Sequence, residues 1–60
     1  MNVMSIKYKD TTLYTLEEVS EILKIAVVTL REYLKKNKIN GKKIGKRWYI
    51  DSQEIERFLK

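Results

Sequence analysis

Cations hold nearly all the chemical potential of this 60-residue chain: 13 lysines and arginines stand against 8 carboxylates, with no histidine and no cysteine. Ser5, Ser20 and Ser52 therefore have no imidazole to activate them as nucleophiles. A zinc site built from His or Cys is excluded, and so is a disulfide scaffold. Glu17, Glu18 and Glu21 cluster where a helix is expected to start. The helix dipole explains carboxylates there without acid–base chemistry. No glycine-rich phosphate loop is present. No catalytic set, metal site or cofactor is expected, and the chain does not read as an enzyme.

The basic residues are segregated. Residues 24–47 hold nine basic side chains and one acid, Glu32, for a net charge of +8, whereas the rest of the chain sums to −3. A concentrated cationic segment on a neutral-to-acidic scaffold is the footprint of a polyanion binder. Net charge alone would fit a solvated lysine-rich surface equally well, and the segregation favours nucleic acid. No apolar run is long enough to span a bilayer. The first ten residues lack the apolar core of a signal peptide, so an intracellular, cytoplasmic protein is expected. A chain this short buries only about 60% of its unfolded surface, so one small core is expected.

The elements that must position these cations can be read from local pattern. Ile6-Lys7-Tyr8-Lys9 alternates briefly, as an edge strand or an arm would. Residues 1–12 are taken as that arm or strand and 13–60 as the domain. Thr15-Leu16-Glu17-Glu18 is a capping box that opens a first helix at about 16–24, with Leu16, Val19, Ile22 and Leu23 on one face. A second helix, at about 26–37, carries Val27, Leu30 and Leu34 on its inner stripe, bordered by Tyr33. Val28, Arg31, Glu32, Lys35 and Lys36 lie opposite. Asn37-Lys38 and Asn40-Gly41 end this helix and turn the chain.

Residues 42–50 read as a β-hairpin around Gly45. A two-residue loop, Gly45-Lys46, would put Ile44 and Trp48 on opposite faces. A three-residue loop ending at Arg47 would put Ile44, Trp48 and Ile50 on one inner face, with Lys43 and Tyr49 outward. The need for a buried face favours the longer loop. Asp51-Ser52-Gln53-Glu54 then caps a last helix with Ile55, Phe58 and Leu59 on its stripe. The fold expected is mainly α with a small β-hairpin: a winged helix-turn-helix.

Four segments, in order, carry a family resemblance. Leu13-Tyr14-Thr15-Leu16-Glu17-Glu18-Val19, Thr29-Leu30-Arg31-Glu32-Tyr33, Lys43-Ile44-Gly45-Lys46-Arg47-Trp48-Tyr49-Ile50 and the closing helix to Leu59 together resemble the excisionase-type and MerR-type DNA-binding domains. The resemblance covers Leu13 to Leu59. The chain departs from the family at Lys24, where glycine is usual, and at Ala26, where a capping serine or threonine is usual. It departs again at Val27 and Val28, where basic or polar residues are usual.

The resemblance implies a recognition helix and a wing that bind double-stranded DNA, with Val27, Val28, Arg31, Glu32, Tyr33, Lys35, Lys36, Lys43, Lys46 and Arg47 as candidate contacts. Arg31 would fork phosphate or guanine. Lys35 and Lys36 would meet phosphates or remain plain surface lysines. Glu32 could accept from cytosine or repel wrong sequences, but an intrahelical pair with Lys36 is favoured. Val28 could touch a thymine methyl or be an ordinary exposed valine. Tyr33 could offer its hydroxyl to a phosphate or border the core. Lys46 and Arg47 would follow the backbone or enter the minor groove at the wing tip. Trp48 is expected in the core.

The implied role is that of a small transcriptional regulator or an architectural recombination factor, as found in phages, plasmids and other mobile elements. Repeated DNA sites and head-to-tail self-association on them are expected. No sensing domain for a small-molecule effector is seen. The competing class is a protein-interaction adaptor on a winged fold, which would need an exposed apolar patch; Val28 and Tyr49 are the candidates.

Overall fold

The computed structural model describes residues 6–8 and 11–60. The elements run β1 (Ile6–Tyr8), β2 (Thr11–Thr15), α1 (Leu16–Leu23), α2 (Val27–Lys35), β3 (Lys42–Ile44), β4 (Arg47–Asp51) and α3 (Ser52–Leu59). The strands form one antiparallel sheet in the order β1-β2-β4-β3. Helix-turn-helix, hairpin and closing helix are therefore all present, as expected of a winged helix-turn-helix. The hairpin is part of a larger sheet than local pattern shows, because β2 pairs with β4 through Leu13–Asp51, Tyr14–Ile50 and Thr15–Tyr49. The alternating segment near the N-terminus forms the edge strand β1, and β2 runs across position 12. The remaining residues of the expected arm, 1–5 and 9–10, and with them Ser5 and most of the segment tested for a signal peptide, lie outside the described residues.

Each helix boundary has a local cause. The Glu18 amide donates to Thr15 Oγ1 at 3.2 Å and the Thr15 amide donates to Glu18 Oε1 at 3.0 Å, so the capping box is complete. Helix α1 ends at Lys24, which takes up a left-handed conformation (φ 58°, ψ 41°) without being glycine. Helix α2 starts at Ala26 with no side-chain cap. It ends in a Schellman motif: the Lys38 amide donates to the Tyr33 carbonyl at 2.8 Å and the Asn37 amide to the Leu34 carbonyl at 3.2 Å, with Asn37 at φ 60°. That reversal sends Ile39 into the core, a residue whose position in no periodic stripe hid it from sequence reading. Asp51 Oδ1 accepts from the Glu54 amide at 2.7 Å and opens α3.

The core joins Leu16 and Val19 of α1, Leu30 of α2, Ile39, Ile50 of β4 and Ile55 of α3. Val27, Leu34, Trp48 and Phe58 pack around it. The backbone passes so close at Gly41 that a Cβ there would lie 2.7 Å from Leu34 Cδ2 and 3.1 Å from the Tyr49 carbonyl oxygen. Gly41→Ala is expected to lose about 1–3 kcal/mol through overpacking against a fixed backbone. Thermal unfolding followed by circular dichroism checks this, and an unchanged midpoint would refute the close approach.

The hairpin loop corrects the sequence reading. Ile44 pairs with Arg47, Lys43 with Trp48 and Lys42 with Tyr49, so the loop is the two-residue Gly45-Lys46. Gly45 has φ 63° while Lys46 has no positive φ, the pattern of a type II′ turn, which glycine at the first loop position makes inexpensive. Ile44 is consequently half exposed, not on the inner face, and Tyr49 is buried, not outward. The longer loop would follow if only one face of the hairpin were buried. In the folded sheet, Trp48 and Ile50 pack toward the helices, while Leu13 and Tyr49 are buried on the opposite face.

Candidate nucleic-acid interface

Packing divides the faces of α2. Leu30 is fully buried, and Val27, Tyr33 and Leu34 pack against the core. Val27 and Tyr33 thus lie on the core side of the helix among the expected contact residues. The Tyr33 ring sits 5.9 Å from that of Phe58, with Lys38 Nζ 5.5 Å above it. Val28, Arg31, Glu32, Lys35 and Lys36 are exposed, as the helical spacing requires. The expected Glu32–Lys36 ion pair is not formed: among the described residues, Arg57–Glu54 is the one ion pair. Two long exposed side chains gain little by giving up water and rotamer freedom for each other.

The wing carries Lys43, Lys46 and Arg47, all exposed. Lys43 lies directly across from Trp48, its Nζ 5.9 Å from the indole, so it shares a face with the tryptophan rather than opposing it. Trp48 is half-buried against the core, as expected.

Tertiary folding brings α2 and the wing tip onto one groove of about 470 Å³, lined by Arg31, Lys46, Arg47 and Trp48. The start of α1 lines the same groove with Glu17, Glu18 and Glu21. Local pattern explains these carboxylates by the start of α1. Glu18 does cap, but their place beside the cations is visible only after folding. The groove therefore combines cations from α2 and the wing with carboxylates from α1.

The segment between α2 and the wing is fastened to α3. Glu54 Oε2 accepts the Asn40 amide at 2.9 Å, and Arg57 Nε donates to Glu54 Oε1 at 3.0 Å. Those bonds, from Arg57 foremost, hold the Glu54 carboxyl below its ordinary pKa against the opposing effect of burial. Sequence reading gave Glu54 to the start of α3; its side chain instead sets where the wing departs.

A family model described as a helix-turn-helix domain matches residues 13–60, well over half of the chain. The chain belongs to this helix-turn-helix family. No curated protein matches it, and no solved structure does. Membership bears out the expected DNA-binding family, and the helix-turn-helix domain supplies DNA binding as the general function. None of its helices, among the described residues, is long and apolar enough to cross a membrane.

Proposed function

We propose that this helix-turn-helix domain binds double-stranded DNA sequence-specifically, with α2 in the major groove and the β3–β4 wing on the neighbouring backbone or minor groove. The observation that carries this reading is the convergence of Arg31 with Lys46 and Arg47 on one groove, 15 and 16 residues apart in sequence. A phosphate strand lying between a major and a minor groove passes between a recognition helix and a wing, which is where these cations stand. Lys35, Lys36 and Lys43 extend the same charge to either side. The protein acts as a small regulator or architectural accessory factor, of the kind phages, plasmids and other mobile elements use, on DNA in the cytoplasm.

The wing positions the protein without reading bases. Lys46→Ala combined with Arg47→Ala should therefore weaken binding to all duplexes about equally and reduce the salt slope by about 2. Fluorescence anisotropy on several duplexes checks this. A variant that keeps its affinity but prefers a different sequence would show that the wing reads bases.

One module buries only about 600–1,000 Å² on DNA, so useful specificity calls for several copies. Directly repeated sites occupied head to tail fit the charge distribution, with exposed Glu56 on α3, outside the groove, available to a neighbour's basic wing. Binding to tandem sites should then be tighter per site than binding to an isolated one. Equal affinity per site would refute the array and leave DNA binding intact. The adaptor reading finds less support: exposed Ile22, Val28, Ile44 and Leu59 stand on four different elements, and Tyr49 is buried.

A further inference from the structure

The first turn of α2 is chemically unlike the rest of its exposed face. Its outward side chains are Ala26 and Val28, both aliphatic, while Val27 and Thr29 are half-buried. Val28 is 69% exposed, the most exposed large apolar side chain among the described residues. Valine is a poor helix former, and Val28 joins neither the buried core nor the partly buried residues around it, so the free domain gains little from it. One and two turns further along the same face come Arg31 and Lys35, both exposed cations. A polyanion drawn onto this face by charge thus meets a turn whose exposed side chains, Ala26 and Val28, offer it no hydrogen bond.

A base edge opposite these two side chains can be distinguished by them only through an apolar group. In the major groove of unmodified DNA that group is the C5-methyl of thymine. We infer that Val28 selects thymine by packing its two γ-methyls against the thymine C5-methyl, while Arg31 and Lys35 hold the adjoining strand. This inference rests on the reading of α2 as the major-groove helix and adds a specificity determinant to it. Cytosine is disfavoured at that position because it lacks the methyl and presents an N4 amino group to an aliphatic surface that cannot accept its hydrogen bond.

The test uses a duplex enriched by the native protein from a randomised pool, with each thymine in turn replaced by uracil, which removes the methyl and nothing else. One position should lose affinity about three- to fivefold, the worth of one desolvated methyl. Val28→Ser should bind the thymine and uracil duplexes alike, and Val28→Ala should retain part of the difference. Both variants should melt as cooperatively as the native chain, because the side chain is exposed. Placing 5-methylcytosine at that position should recover affinity relative to cytosine. Native protein indifferent to uracil at every position, or Val28→Ser with the full thymine preference, would overturn this inference while leaving DNA binding in place. Failure to enrich any duplex would overturn it together with the DNA reading.

Discussion

Affinity for duplex DNA is expected to fall on the order of a thousandfold between 50 and 200 mM monovalent salt. The estimate follows from six exposed cations, Arg31, Lys35, Lys36, Lys43, Lys46 and Arg47, each neutralising one phosphate and releasing its counterions. The slope of log affinity against log salt would then be about −5. No ion pair joins Glu17, Glu18 or Glu21 to Arg31, Lys46 or Arg47, so these cations are not already neutralised within the domain. Anisotropy titrations at a series of salt concentrations measure the slope. An affinity independent of salt would sink the DNA reading, since a surface of this charge cannot engage a polyphosphate without counterion release.

Arg31→Ala carries the largest expected effect of a single substitution. Arg31 is exposed, flanks the apolar stripe of α2, and lines the groove with the wing tip. A guanidinium there can fork two oxygens of one phosphate or the O6 and N7 of a guanine. Its loss should cost about 1–3 kcal/mol, roughly 5- to 150-fold in affinity. Stability should change little, because the side chain packs on nothing in the core. Band-shift titration and thermal melting separate the two quantities. A phosphate contact would show as a uniform loss with a salt slope smaller by about 1, and a guanine contact as relaxed preference at one base pair. Unchanged affinity would remove Arg31 from the interface.

Much of the fold was legible because its signals are local. The Thr15–Glu18 capping box spans four residues and forms as a hydrogen-bonded unit wherever a helix begins. The stripe of Val27, Leu30 and Leu34 follows from helical periodicity, which also places Arg31 and Lys35 outward before any packing is known. Asn37 tolerates the left-handed turn that ends α2, and a Schellman motif needs nothing from outside the helix. The clustering of nine basic residues in residues 24–47 is a property of composition and order alone.

The rest depends on groups distant in the chain. Strand β2 was hidden because Thr11–Thr15 is short and runs directly into a strong helix start. Its partner β4 begins 32 residues after β2 ends. Without β2, a single hairpin has one face to bury, and that premise selected the wrong loop length and misplaced Ile44 and Tyr49. Ile39 entered the core through the geometry of a turn, and the Glu54 side chain holds the Asn40 amide while its own amide stays in the Asp51 cap. The sequence by itself determined helix starts and ends, the outward face of α2 and the sign of the charge it displays, because each is set within a few turns of chain. Tertiary structure alone decided the sheet pairing, the two-residue wing and the groove that Arg31, Lys46 and Arg47 line together with Glu17 and Glu21. Those features require non-local strand pairing and core closure, which no window along a single segment can contain.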